Sequence, residues 1–121
     1  MNTYLIGLSW CDPEEVAAYV CAGFDDEPTC STGLFVMAED EAAALSWANE
    51  ACTWYMGYLF AEKKYRLEQL EIHCWVEADP KNSRWTHCLD FFQRVEVGQE
   101  PEFEKMTAEA YVNWCNKAGM S

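Results

Sequence analysis

A chain of 121 residues, half of them apolar, has enough material for one hydrophobic core, and six each of Trp, Tyr and Phe argue against disorder. The formal net charge of −13 lies outside the span of about 2–8 in magnitude usual for a small domain, and residues 1–62 contain no Lys, Arg or His. Such a field repels nucleic acid and anionic membranes, and no apolar run approaches the ~18 residues that a spanning helix requires.

The seven cysteines are odd in number, and the shortest spacing, Cys21 to Cys30, leaves no CxxC pair for zinc or redox chemistry. The N-terminus runs into a strand-like segment without a basic region before it, so no secretory signal is expected. Reduced thiols that pack as small hydrophobes in a cytoplasmic protein are the expectation. No Walker or GxGxxG loop appears, so no cofactor is expected.

Tyr4, Ile6, Leu8 and Trp10 alternate with their neighbours and predict a first strand. Asp12-Pro13-Glu14-Glu15 supplies an N-cap, a proline at the first helical position and acids for the positive helix end. A short helix should follow with Val16, Ala17, Val20 and Phe24 on its packed face and Gly23 at its end. Residues 25–31 read as a loop, and the apolar run 33–38 as a buried strand.

Glu39-Asp40-Glu41 opens the longest helix, about residues 40–60. Its core stripe is Ala44, Leu45, Ala48, Ala51, Cys52, Tyr55 and Leu59, with Trp47, Trp54 and Tyr58 on an aromatic flank beside it. Residues 61–66 form a charged connector. Leu70, Ile72, Cys74 and Val76 alternate as a third strand. A turn at 79–83 leads to a return strand with Trp85, His87, Leu89 and Phe91 on one side. This hairpin would place Ile72 opposite Leu89, Val76 opposite Trp85 and Glu77 opposite Arg84, with one face wet. Residues 98–101 break the chain, and Thr107 caps a last helix whose face is Ala108, Tyr111, Val112 and Cys115, closing near Gly119. The order β-α-β-α-β-β-α predicts a single α+β domain spanning 1–121, with two or three helices packed on a four-stranded mixed or antiparallel sheet.

Two groups of residues could carry function. His73-Cys74 and His87-Cys88 offer cross-strand Cys/His pairs, His73 with Cys88 or His87 with Cys74, as thiol dyads; the hairpin geometry prevents all four from sharing a metal. The acidic triplets Asp25-Asp26-Glu27 and Glu39-Asp40-Glu41 lack the alternation of a calcium loop, so no metal site is expected. The aromatic residues Trp47, Trp54, Tyr58 and Trp75, beside Asp25, Asp26, Glu27, Glu39 and Asp40, suggest an interaction surface. The functional expectation is a non-enzymatic binding protein that meets a basic protein partner through acidic steering charges and aromatic anchors. The competing expectation is a small-ligand or thiol-enzyme domain with a pocket between the sheet and the long helix. Homodimerisation through the aromatic flank is a further possibility.

Overall fold

The computed structural model describes residues 1–23 and 29–117. Strand β1 (Asn2–Trp10) pairs antiparallel along its whole length with β2 (Cys30–Ala38), and on its other side with β3 (His73–Glu77). The three-residue β4 (Arg94–Glu96) runs parallel to the end of β2, giving the mixed order β3-β1-β2-β4. This is the α+β arrangement that the element order predicts.

Between β1 and β2 lies α1 (Pro13–Ala22), which starts where Asp12 Oδ1 accepts from the Glu14 amide at 3.0 Å. It ends at Gly23, whose φ of 85° is the left-handed conformation that costs a glycine nothing. Its face is not packed as its spacing suggests: Val16 is half-buried, while Ala17 and Val20 are exposed. Phe24 lies outside the described residues.

Helix α2 (Glu41–Leu59) is held at its start by Asp40 Oδ1, which accepts from Ala43 N–H at 2.8 Å. Ala44, Ala48 and Ala51 are buried, so the helix backbone lies close to the sheet, and Cys52, Tyr55 and Met56 extend the same stripe. Beneath them lie Ile6, Leu8 and Trp10 of β1, with Leu34, Val36 and Ala38 of β2. Burying Ile6, Leu8, Leu34 and Val36 contributes about 1.5–3 kcal/mol each. As β2 and β3 are both antiparallel to β1, α2 makes a crossover between two parallel strands that flank β1.

The chain then makes one short helix, α3 (Leu67–Leu70), before β3, so the third strand begins at His73 rather than near Leu70. Beyond β3 no hairpin forms. Residues 80–91 fold into two 3₁₀ segments, Pro80–Asn82 and Thr86–Phe91, and cross the second face of the sheet to reach β4 on the opposite edge. Trp85, Cys88 and Phe92 are the residues this segment buries. Their spacing of three and four suits a helical turn, and their neighbourhood also carries the period of two that suggested a strand. Local hydrogen bonds favour the turn: Ser83 Oγ donates to Pro80 O at 2.7 Å, and Thr86 Oγ1 lies 2.7 Å from Lys81 O and 2.8 Å from Ser83 O. The hairpin register would also have set Glu71 opposite Asp90, a like-charge contact that this path avoids. Helix α4 (Ala108–Lys117) packs beside this crossing and is capped by Thr107 Oγ1, which accepts from Ala110 N–H at 3.1 Å. Tyr111, Trp114 and Cys115 form its half-buried face, whereas Val112 is exposed; Gly119 lies outside the described residues.

The sheet is therefore covered on both faces. Leu5 and Phe35 face each other on the second face, and the next pair on that face is two glycines directly opposite each other, Gly7 and Gly33. The Trp75 indole covers Gly7 and the Phe92 ring covers Gly33; a Cβ on Gly33 would stand 2.6 Å from that ring, and one on Gly7 would overlap the indole. Rings from β3 and from the crossing thus rest against bare backbone. Replacing Gly7 by Ala should cost about 1–3 kcal/mol in urea unfolding. An unchanged midpoint would show that the indole does not rest on this glycine.

Candidate functional site

Because β4 pairs with β2 only from Phe35 onward, the start of β2 is paired with β1 on one side and has no strand on its outer side among the described residues. Phe35 N–H donates to Gln93 O at 2.9 Å, and just before that point the chain leaves the sheet plane so that Phe92 can cover Gly33. The place where β4 would continue is a cavity of about 570 Å³. Its walls come from both layers, as expected of a hole at a sheet edge. Trp10, Tyr55, Leu59 and Phe60 contribute from the α2 side, and Trp85, Cys88, Phe91 and Phe92 from the crossing. The outer wall is Met106, Thr107, Ala108 and Tyr111.

Two devices hold these walls. Trp10 and Tyr55 meet edge-to-face with centroids 5.4 Å apart, fixing the α2 side. The Gln93 amide bonds both ways to one residue, donating to Glu102 O at 2.8 Å and accepting from Glu102 N–H at 3.0 Å. This side chain takes the role of a short strand pair and anchors the segment that leads into α4.

The polar groups in the cavity are few. Thr32 is only 6% exposed, and among the described residues its hydroxyl has no hydrogen-bond partner. His87 Nε2 and the Tyr111 hydroxyl lie 3.1 Å apart, one donating to the other according to the imidazole tautomer. Asp12, Ser31 and Arg84 stand at the margin. Arg84 is stacked on two indoles, its guanidinium carbon 5.4 Å from the Trp75 ring and 5.2 Å from the Trp85 ring. The rings are themselves stacked at 5.8 Å, and His73 continues the column on Trp75 at 5.5 Å. A second hollow of about 460 Å³ adjoins the first, lined by Ser9, Thr29, Ser31, His73, Trp75 and Arg84.

The sequence-derived candidates are distributed differently from expectation. Cys74 projects to the α2 face and meets Cys52, not His87. A hydrogen bond with Cys74, together with burial, pushes the Cys52 thiol up. His87 pairs with Tyr111, and His73 stacks on Trp75, while Cys88 is buried among Leu5, Phe35 and Phe92. Both dyads depended on a hairpin that does not form, and no hydrogen bond joins either pair among the described residues. The cavity thiols are poor nucleophiles: burial raises Cys88, helped by Cys115, and burial raises Cys30, helped by Glu15 and Asp12. Among the described residues no three His, Cys, Asp or Glu side chains cluster as a metal site.

Of the four proposed anchors, Trp47 is 9% exposed and belongs to the core, with no hydrogen-bond partner for its indole N–H among the described residues. Its ring meets Trp54 edge-to-face at 5.2 Å. Trp75 is half-buried and donates from Nε1 to Glu77 at 3.0 Å. Trp54 and Tyr58 remain exposed, at 43% and 46%. Glu39 and Asp40 lie at one end of β2, whereas Asp12, Glu14 and Glu15 lie at the other, roughly 26 Å away at about 3.3 Å per strand residue. Asp25, Asp26 and Glu27 lie outside the described residues. Arg84, expected opposite Glu77 in the hairpin, makes no ion pair among the described residues, and Thr32, Ser31 and Gln93 were not singled out by the sequence, because their importance depends on β4 being short and on the crossing above it.

No protein-family model, curated protein or solved structure matches the chain. No helix among the described residues is long and apolar enough to cross a membrane.

The thiols should report this arrangement directly. In the native protein Cys21, exposed on α1, should react first with a small disulfide reagent, and Cys52 should react only on unfolding, as followed by mass spectrometry. Early modification of Cys52 would contradict the packing of α2 on β3.

Proposed function

We propose that the protein binds a small, largely apolar molecule in the cavity beside the start of β2. The observation that carries this reading is the cavity itself: about 570 Å³, walled mainly by aromatic and aliphatic side chains, with the Thr32 hydroxyl in its lining unpartnered among the described residues. Ligand sites have this character, about 300–1,000 Å³ of mostly apolar wall with a few fixed polar groups that set orientation. A ligand atom hydrogen-bonded to that hydroxyl would contribute about 0.5–1.5 kcal/mol and set the orientation. The raised thiols favour binding over thiol chemistry, since a protonated sulfur is a weak nucleophile.

The neutral fluorescent probe N-phenyl-1-naphthylamine should bind one molecule per chain, with blue-shifted emission. Ala108 is exposed and lines the cavity mouth, so Ala108→Trp should obstruct entry without touching the core. The expected result is a loss of probe affinity of ~10-fold or more, equivalent to about 1.4 kcal/mol. Urea stability should stay within about 0.5 kcal/mol of the parent, as for surface substitutions in general. Unchanged probe affinity in this variant would overturn the reading.

One observation favours a second reading, an acidic and aromatic surface for a basic protein partner. Trp54 and Tyr58 lie one helical turn apart on the exposed side of α2, with Glu50 one turn before them. Replacing both rings by Ala should abolish capture of a basic partner and leave probe binding intact. Capture that survives the double replacement and high salt would dismiss this surface.

A further inference from the structure

The two hollows meet at Arg84 and Ser31, which line both. We propose that this junction is an oxyanion seat, so that the ligand is an organic acid whose ring-bearing body fills the larger cavity and whose single negative charge lies against Arg84. The inference rests on the cavity being a ligand site and adds the chemical class of what enters it.

Three observations carry it. First, Arg84 has no carboxylate within ion-pair distance among the described residues, although the chain has 21 acids and eight bases. The ion pairs present there are Lys63 with Glu14 and Lys105 with Glu102. Second, the guanidinium carbon stands beside the stacked Trp75 and Trp85 rings, 5.4 and 5.2 Å from their centroids, in cation–π range of both. Contact with two rings restrains where the charge sits without using its N–H groups as hydrogen-bond donors, and those donors match the two oxygens of a carboxylate. The side chain is therefore oriented before any ligand arrives, which reduces the entropy lost on binding. Third, the hydroxyls of Ser9, Thr29 and Ser31 and the His73 ring surround the smaller hollow. Register explains their convergence, because Ser9 pairs with Ser31 on one side and with His73 on the other, placing all three on the second face at the same level of the sheet.

The overall charge opposes an anion at long range, yet the Debye length of about 8 Å at physiological salt leaves the near groups in control. Asp12, the carboxylate at the margin of the larger cavity, is engaged as the α1 cap. A singly charged acid meets this field at less cost than a doubly charged phosphate ester.

Two probes with the same ring body separate the seat from the cavity. 1-Anilinonaphthalene-8-sulfonate carries a singly charged oxyanion, and N-phenyl-1-naphthylamine is its neutral counterpart. Arg84→Met keeps an unbranched stem against the indoles and removes the charge and donors. It should weaken the sulfonate probe ~10-fold or more, the scale of one lost charged hydrogen bond, and change the neutral probe less than about twofold. Arg84→Lys keeps the charge without the fork and should lose severalfold for the sulfonate alone; it decides the matter if the Met variant does not fold. Equal losses for both probes, or no loss for either, would overturn the oxyanion seat and leave the cavity reading standing. Failure of the neutral probe to bind the parent protein would overturn both.

Discussion

The fold depends on bare backbone at the centre of the sheet. Gly7 and Gly33 face each other across β1 and β2, and the absence of two Cβ atoms lets Trp75 and Phe92 lie directly on the strands. Those two rings then organise the second layer. Trp85 stacks on Trp75 and meets Phe92 edge-to-face at 5.3 Å, while Phe91 reaches Tyr111 and Trp114 of α4. A chain that has to lay Phe92 over Gly33 cannot also extend β4 along β2 at that point. The short strand, the open sheet edge and the cavity beside it share this one cause.

The second layer also determines the chemistry available. Aromatic rings in columns supply rigid apolar walls at small entropic cost, and the guanidinium of Arg84 is held in place by the same column. Polar groups enter where strands end: Ser9, Ser31 and His73 at one level of the sheet, and Thr32 one residue further along β2 on the opposite face. An apolar chamber with hydroxyls and one oriented cation at its rim is suited to recognising a molecule that is apolar at one end and anionic at the other. The thiols contribute packing. Cys52 and Cys74 meet between α2 and β3, and Cys88 fills the second layer against Leu5 and Phe35.

Much of the architecture was legible from local signals. Asp12 caps α1 as expected, Gly23 ends it, Glu39-Asp40-Glu41 opens α2 with Asp40 as its cap, Thr107 starts α4, and the alanine stripe of α2 faces the sheet. These features are written in a few adjacent residues, so they can be read without knowing the fold. The hairpin was misread because residues 85–92 satisfy two periods at once. Trp85, Cys88 and Phe92 suit a turn, and the alternation around them suits a strand; only the vacant second face of the sheet decides between the two. Exposure was misjudged for a related reason. Trp75 was placed on an outer surface by assuming one covered face, whereas the sheet has two; Trp47 is instead buried within the α2-side core. Of the cavity residues, His87 and Cys88 were singled out only as thiol-dyad members, and the edge gap itself left no signal, because a gap in a sheet is a property of strand lengths and crossings rather than of any motif.

The central claim is that the vacancy beside the start of β2 receives a ligand. Fluorine NMR of protein labelled with 5-fluorotryptophan tests it most directly, since the six tryptophans are spread over the core, the cavity and the outer face of α2. On titration with an apolar naphthyl compound, the resonances of Trp10 and Trp85, which line the cavity from its two opposing layers, should shift together and saturate at one equivalent, with Trp47 and Trp54 unmoved. A shift confined to Trp54, with Trp10 and Trp85 unchanged, would contradict the account and move the binding surface to the exposed side of α2.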